Sequence, residues 1–176
     1  GILVLFMTAS LINGGLNIDS VSASATYGIY TAGVYLVALL GGWIADRHIG
    51  QQNAILYGGF IIMLGHFLLA FTNINTFYLG LIFVVLGTGL LKPNISAIVG
   101  GLYEKDQEKK ESGFTLFYMS INIGSILGFF ICGYLGENIG WHYGFGAAGI
   151  GMAFGLIQFY FNRKDLGNVG LKPSAE

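Results

Sequence analysis

Five nearly uncharged hydrophobic runs restrict what this chain can fold into. A helix needs about 20 consecutive apolar residues to cross the hydrocarbon core of a bilayer. The runs therefore predict membrane-spanning helices at residues 25–45, 54–72, 77–100, 112–135 and 142–162. A shorter apolar run at residues 1–12 predicts the end of a sixth helix, whose first part is expected upstream of Gly1. The sequence thus predicts an all-α integral membrane bundle over residues 1–162, followed by a linker at 163–176.

The composition argues against several other classes of protein. Charged residues make up 10% of the chain, whereas a soluble domain carries about 25%. The net charge of −1 gives no reason to expect nucleic acid as a partner. Cys132 is the single cysteine, and His66 and His142 lie far from acids at metal-ligand spacing, so no metal site is predicted. No Ser/His/Asp, Cys/His or paired-carboxylate grouping falls within the predicted helices, which predicts no catalytic residue and argues against an enzyme.

The basic residues predict the orientation of the bundle in the membrane. The connections without Lys or Arg are 13–24, 73–76 and 136–141. The basic residues at the other helix ends are Arg47, Lys105, Lys109, Lys110, Arg163, Lys164 and Lys172. Because cytoplasmic loops carry an excess of Lys and Arg, we expect loops 46–53 and 101–111 and the tail after Asn162 to lie in the cytoplasm. The predicted location is a multi-pass position in the cell (inner) membrane.

Lys92 is the one basic residue inside a hydrophobic run, within the segment 87–96 that reads GTGLLKPNIS. An ammonium group at the centre of a membrane helix costs about 2.5–3.5 kcal/mol even on lenient insertion scales. The residue lies about eight positions, or roughly 12 Å, from the cytoplasmic end of its helix. Three interpretations stay open: snorkelling to the cytoplasmic interface, a structural buried ion pair, or a role in transport and proton coupling.

Polar residues on two other predicted helices lie at a similar depth. Tyr35 is near the middle of the second helix, and Asn122 is about ten residues from the cytoplasmic end of the fifth. Pro93 cannot donate to the carbonyl of Gly89, so the fourth helix is predicted to kink or flex beside Lys92. Lys92 also belongs to a small and polar stripe that is expected to face inward: Gly80, Thr88, Lys92, Ser96 and Gly100.

Small residues recur every four positions on the last two predicted helices. They are Ser120, Gly124, Gly128, Cys132 and Gly136 on the fifth helix, and Ala147, Gly151 and Gly155 on the sixth. Small side chains let helix backbones approach closely in a membrane. We therefore predict that both stripes are helix-packing seams.

The end of the second predicted helix carries a charged motif. Residues 41–47 read GGWIADR and are followed by Gly50, which permits a tight turn. The adjacent charges of Asp46 and Arg47 could form a latch between neighbouring helices. The alternative is a solvated loop at the membrane edge.

Three segments together resemble a known family. Gly42 to Arg47, with Gly50, resembles the loop 2–3 motif of the major facilitator superfamily. It departs by an extra residue before the glycine and by Gln51-Gln52 where basic residues are usual, as the proton-dependent oligopeptide transporter family tends to do. The segment 87–96 resembles that family's helix-four motif, and 117–125, which reads FYMSINIGS, resembles its helix-five signature. The resemblance implies the N-terminal six-helix bundle of a major-facilitator-type transporter.

The resemblance also implies a function, namely proton-coupled uptake of di- and tripeptides through a bilayer, with protons as coupling ion and no other cofactor. Tyr35 and Asn122 match residues that bind peptide backbone in this family. Lys92 matches a residue of the proton and peptide-carboxylate machinery, which pairs with acidic groups on helices one and seven. Asp46 matches the acid of the cytoplasmic latch. A C-terminal bundle is expected beyond Glu176 as the partner of this one.

Two alternatives stay open at this stage. The first is another major-facilitator transporter, which carries nitrate, an amino-acid conjugate or a drug. The second is a peptide receptor on the same scaffold, which would bind without accumulation.

Overall fold

A computed structural model describes residues 2–71, 73–104 and 106–172, and the regular structure in these ranges is entirely helical. The helices are α1 (Ile2–Thr8), α2 (Ser20–Ile44), α3 (Gln51–Leu69), α4 (Ile74–Leu102), α5 (Gln107–Asn138) and α6 (Trp141–Asn162). Short turns of 3-10 helix lie at Leu11–Asn13 and Arg163–Leu166. Helices α2 to α6 are the five that are long and apolar enough to cross a membrane, which confirms the five predicted spans.

Several helices begin a few residues earlier than the hydrophobic runs predict, because polar residues cap them. Asp19, Asn73 and Asp106 precede α2, α4 and α5, and each side chain accepts a hydrogen bond from a backbone N–H of the first turn. Asp19 Oδ1, for example, accepts from the N–H of Ser22 at 3.0 Å. Such caps satisfy donors that have no partner within the helix. Part of the predicted connector at 101–111 is therefore the first turn of α5.

The predicted loop at 46–53 is wrong. Residues Ala45–Ile49 continue α2 as a single turn of π-helix, and α3 begins immediately after Gly50. Gly50 has φ 79° and ψ 152°, a conformation that favours glycine. A side chain there would also collide with the C-terminal segment, since an added Cβ would lie 2.5 Å from the backbone nitrogen of Lys172.

Helices α3 and α4 pack through two facing pairs of glycines. A Cβ added to Gly58 would lie 2.7 Å from the Gly87 carbonyl oxygen, and one added to Gly87 would lie 2.5 Å from that of Gly58. Gly65 and Gly80 are related in the same way, since a Cβ added to either would lie 2.9 Å from the carbonyl oxygen of the other. The residue numbers of the two pairs run in opposite directions, so the helices are antiparallel. Their backbones are in contact because no side chain separates them.

The small-residue stripes predicted as seams on α5 and α6 are mostly open. No other described atom lies within 4 Å of a Cβ added at Gly124, Gly128, Gly151 or Gly155. The exception is the end of the α5 stripe: a Cβ added at Gly144 of α6 would lie 2.6 Å from the Cys132 carbonyl oxygen, and one added at Gly136 would meet the Ile2 side chain at 2.9 Å. The seam is therefore formed at this end of α5, and for the rest of both stripes it stays a prediction. A stripe of small residues makes a smooth face, but it does not determine which element covers that face.

The core at one end of the bundle is an aromatic cluster around Phe6 of α1. The Phe6 ring lies 5.6 Å from Phe77, 5.7 Å from Trp141 and 5.2 Å from Phe145, measured between ring centroids. The indole N–H of Trp141 donates to the carbonyl of Asn13 at 3.0 Å, which satisfies the polar atom of that ring. This cluster joins α1 to α4 and α6.

Candidate functional site

The ammonium group of Lys92 on α4 lies 5.0 Å from the ring centroid of Tyr35 on α2. This distance is within the range of a cation–π interaction. The structure thus brings together two of the three residues that the sequence places at one depth.

Helices α2 and α4 lie side by side and run in the same direction. A Cβ added to Gly33 would meet Val85 at 3.3 Å, and a Cβ added to Gly89 would overlap the side chain of Val37. In both pairs the residue on α4 is numbered 52 higher than its neighbour on α2. Gly41 also contacts Gly89 and Asn94, which are numbered 48 and 53 higher, so these offsets bracket the level of each α4 residue along α2.

The Lys92 side chain extends away from the Asp46 end of α2. The offsets put the Lys92 backbone level with residues 39–44 of α2, whereas its ammonium reaches Tyr35, at least about four residues or about 6 Å toward the other end. Side chains on a helix tilt toward its N-terminus, which favours this direction. Snorkelling to the Asp46 end is therefore not the arrangement of Lys92. No carboxylate of the described residues lies within ion-pair distance of this ammonium, so the structural ion pair stays a prediction that involves other residues.

The contact between Lys92 and Tyr35 lies on an open face of the described bundle. Lys92 is exposed, and Tyr35 is 62% exposed. A cation is too costly to leave in lipid hydrocarbon, so this face is one for water or protein. Gly80 of the polar stripe is buried against α3, and the half-buried members are Thr88, Ser96 and Gly100.

Asn122, the third predicted site residue, is not brought into contact with the other two. It is exposed on α5, and its side chain makes no hydrogen bond with any other described residue. Helix α5 packs more extensively on α6 than on α4. Counting residues along a helix predicts depth, but it does not predict the lateral distance between helices.

Sequence reasoning missed Asn94, which is 2% exposed. Its side-chain amide donates to the carbonyl of Leu90 at 2.6 Å and to the carbonyl of Gly41 on α2 at 3.3 Å. The available signal was an amide inside an apolar run, two residues after Lys92. A buried amide in a membrane helix needs partners, because lipid offers none.

The glycines of the α2 motif pack against the segment around Pro93. A Cβ added to Gly41 would overlap the carbonyl oxygen of Gly89, and one added to Gly42 would lie 3.9 Å from the Pro93 ring. Pro93 has no N–H, so the carbonyl of Gly89 lacks its usual partner four residues on. Helix α4 nevertheless continues through Pro93 to Leu102. The predicted flexible point is therefore a place where α2 supports α4.

The charges of the motif make only local contacts within the described chain. Asp46 Oδ1 accepts from the side-chain amide of Gln51 at 3.2 Å, and the Arg47 guanidinium lies 5.7 Å from the Trp43 ring. The one salt bridge among the described residues joins Lys109 to Asp106 at 3.0 Å. A latch between helices through Asp46 and Arg47 thus stays a prediction.

The segment 167–172 is held on the start of α3 by Gln52, a further residue that sequence reasoning missed. The backbone N–H of Gln52 donates to the Gly170 carbonyl at 3.0 Å, and its side-chain amide donates to the Val169 carbonyl at 2.7 Å. Gln52 is 6% exposed, so both bonds are sheltered. The described part of the predicted linker therefore packs on the bundle.

No group of three or more potential metal ligands occurs in the described ranges. His66 lines a cavity of about 530 Å³ between the helices, together with Tyr27 and Tyr30. Its Nδ1 atom is buried and has no hydrogen-bond partner among the described residues.

Comparison with known proteins identifies relatives over nearly the whole chain. A family model described as the POT family matches residues 52–175. A peptide transporter of Yersinia enterocolitica is 46% identical over 161 residues, which cover 90% of this chain and 32% of that protein. A di-/tripeptide transporter of Lactococcus lactis is 40% identical over 172 residues, which cover 97% of this chain and 35% of that protein.

Solved structures agree with these relatives. A crystal structure of the peptide transporter POT in complex with sulfate superposes with a TM-score of 0.93 at 41% identity, over 99% of this chain and 36% of that one. A POT family transporter in complex with 5-aminolevulinic acid superposes with a TM-score of 0.90 at 38% identity, over 98% and 36%. The chain thus has a transporter-type membrane fold and spans about a third of the length of these relatives.

Proposed function

Because this chain belongs to the POT family, we propose that the complete protein carries di- and tripeptides into the cell together with protons. The described helices would form the N-terminal bundle, and rocking against a second bundle would expose a midplane site to each side in turn. The relatives named as a peptide transporter and as a di-/tripeptide transporter support this substrate class.

The contact between Lys92 and Tyr35 is the observation that carries the proposal. A short peptide presents a carboxylate and several amide groups. The Lys92 ammonium is a donor for the carboxylate, and the Tyr35 hydroxyl can bond to a backbone amide. Asn122 would contribute from α5 when the site is closed around its substrate.

Proton coupling requires that proton binding and peptide binding alter each other's affinity. We propose that Lys92 provides this link by exchanging between a protein carboxylate and the substrate carboxylate. Protonation of the protein carboxylate would release the ammonium for the peptide. The acids that the family resemblance assigns to helices one and seven are the proposed partners.

The basic residues support an orientation in the cell inner membrane. The C-termini of α2, α4 and α6 and the N-termini of α3 and α5 lie at one end of the bundle, where Lys and Arg are concentrated. We propose that this end is cytoplasmic. The Asp46–Arg47 motif at the same end would latch the two bundles when the cytoplasmic side is closed.

The test is uptake of a labelled dipeptide by vesicles that contain the complete protein, under an inward proton gradient. Lys92→Ala is expected to abolish gradient-driven accumulation. Lys109→Ala is the matched control, because Lys109 lies at the helix end and its salt bridge within the described ranges is with Asp106. Full accumulation by Lys92→Ala would contradict the proposed role.

A second candidate substrate class is supported by the relative solved with 5-aminolevulinic acid, a small amino acid and not a peptide. Competition separates the two classes. An excess of unlabelled dipeptide should block uptake of the labelled dipeptide, and nitrate should not. Stronger competition by 5-aminolevulinic acid than by any dipeptide would favour the second class.

A further inference from the structure

Asn94 and Gln52 are the two buried polar side chains among the described residues. The function proposed above uses neither. Asn94 is the closer of the two to the candidate site, since only Pro93 separates it from Lys92 in the chain.

The Asn94 amide joins two helices from inside their interface. One bond, to Leu90, stays within α4, and the other crosses to the carbonyl of Gly41 on α2. Each N–H of the amide thus has an acceptor. The bond to Gly41 is the side-chain hydrogen bond between α2 and α4 in the described ranges. Side-chain hydrogen bonds of this kind hold membrane helices together, because lipid cannot replace either partner.

This link lies where α4 is least constrained by its own backbone. Pro93 deprives the Gly89 carbonyl of its intrahelical donor, and that carbonyl rests directly against Gly41. The same Gly41 supplies the oxygen that Asn94 binds. Gly41 therefore contacts α4 on both sides of Lys92, through Gly89 before it and Asn94 after it.

The position of the Lys92 backbone relative to α2 follows from these two contacts. Tyr35 is carried by α2, so whatever fixes Lys92 relative to α2 also fixes the distance from its ammonium to the Tyr35 ring. We propose that Asn94 is a positioning residue that holds Lys92 against Tyr35 through its bond to Gly41. This inference rests on the proposed function for its effect on peptide binding, but its geometric part is independent of that function.

The first experiment is a double-mutant cycle on the purified complete protein, with peptide Kd as the readout. Asn94→Leu keeps the number and branching of the side-chain heavy atoms and removes both donors. It is expected to raise Kd about fivefold in the wild-type background, as for the loss of one hydrogen bond. In a Lys92→Ala background the same change should raise Kd less than about twofold, because the residue to be positioned is absent.

Two further variants separate positioning from general destabilisation. Asn94→Ser can still bond to the Leu90 carbonyl, as Ser96 does to the Lys92 carbonyl at 3.3 Å, but is too short to reach Gly41. It should therefore raise Kd as Asn94→Leu does, and it provides the test if Asn94→Leu does not fold. Ser96→Ala is the matched control on the same helix, and its Kd should be unchanged.

A second readout does not depend on peptide. The Lys92 amine of the purified protein is labelled with an amine-reactive reagent and followed by mass spectrometry. Release of Lys92 from Tyr35 should speed its labelling about threefold or more in Asn94→Ser, with no change in Ser96→Ala. An unchanged labelling rate would overturn the inference, and so would an equal loss of affinity with and without Lys92. Absence of peptide binding in the wild type would instead count against the proposed function, and the labelling rate would still decide the role of Asn94.

Discussion

Gly58 on α3 and Gly87 on α4 face each other so closely that a Cβ on either would lie within 2.7 Å of the other's carbonyl oxygen. Gly65 and Gly80 repeat the arrangement farther along the same interface. Helix α4 carries Lys92, so this glycine interface fixes one side of the candidate site.

Gly87→Ala is expected to destabilise the complete protein. The added methyl has backbone atoms as neighbours and these cannot rotate away, so we expect a loss of about 1–3 kcal/mol in the free energy of unfolding. Thermal unfolding in detergent measures it. Gly155→Ala is the control, because no other described atom lies near its added Cβ. Equal melting temperatures for the two variants would contradict this account of the interface.

Replacing Tyr35 should separate the contribution of its ring from that of its hydroxyl. Tyr35→Phe keeps a ring for the Lys92 ammonium, whereas Tyr35→Leu removes it. A cation–π interaction contributes about 0.5–2 kcal/mol, so we expect peptide Kd to rise about 2- to 30-fold more in the Leu variant. Binding to the purified complete protein measures both. Identical Kd values for the two variants would mean that the ring–ammonium contact has no part in binding.

Gln52→Leu should release the segment 167–172 from the bundle. The change leaves the Val169 carbonyl without its 2.7 Å partner, and a lost buried bond costs about 1–3 kcal/mol. We expect faster amide hydrogen exchange in this segment, measured by mass spectrometry. Asn138→Leu, which removes a side-chain bond to the Tyr134 carbonyl at the C-terminal end of α5, is the control and should leave that exchange unchanged. The prediction fails if amide exchange in the segment 167–172 is as slow in Gln52→Leu as in the wild type.

The start of α5 should lose protection in acid. Two hydrogen bonds from Lys109 lower the pKa of Asp106 below its ordinary value of 3.8, and the bond from the side chain has a larger effect than the bond from the backbone N–H. A carboxylate with a lowered pKa stabilises the folded form at every pH above 3.8, and this stabilisation is lost as pH falls through the folded pKa. Amide protection factors in the first turn of α5 should therefore be constant from about pH 7 to pH 5 and fall below about pH 4.

Asp106→Asn is the matched variant for this acid transition. Asn is as good a helix cap as Asp but carries no charge, so the first turn should stay folded and its protection should no longer change in acid. A transition of the same size in the variant would show that another group is responsible.

The five membrane spans could be predicted because lipid imposes a minimum length on every helix that crosses it. Hydropathy does not predict where a helix begins outside the hydrocarbon. Helices α2 and α5 begin earlier than their hydrophobic runs because Asp19 and Asp106 accept hydrogen bonds from the first turn. The tight turn at Gly50 was predicted, but the loop at 46–53 around it was wrong, since a single glycine with positive φ can replace an entire loop.

The candidate site was predictable along the membrane normal but not across it. Counting residues from the helix ends predicts that Lys92, Tyr35 and Asn122 lie at one depth in the membrane. In the structure only Lys92 and Tyr35 are in contact. The glycine pairs between α3 and α4 were missed because they are seven residues apart on each helix, while regular four-residue spacing drew attention to α5 and α6. Asn94 was missed because polarity in its neighbourhood was attributed to Lys92.

The π turn at Ala45–Ile49 changes what surrounds Trp43. In an uninterrupted α-helix, side chains five positions apart point about 140° away from each other, and only the one four positions on lies nearby. The wider turn holds one more residue per revolution. Arg47 and His48 consequently both reach the same indole, at 5.7 Å and 5.4 Å. Deleting one residue from this turn would leave the Trp43 ring in contact with only one of the two side chains, Arg47 or His48, and would move the other away. The π turn is therefore what allows two side chains to contact one aromatic ring.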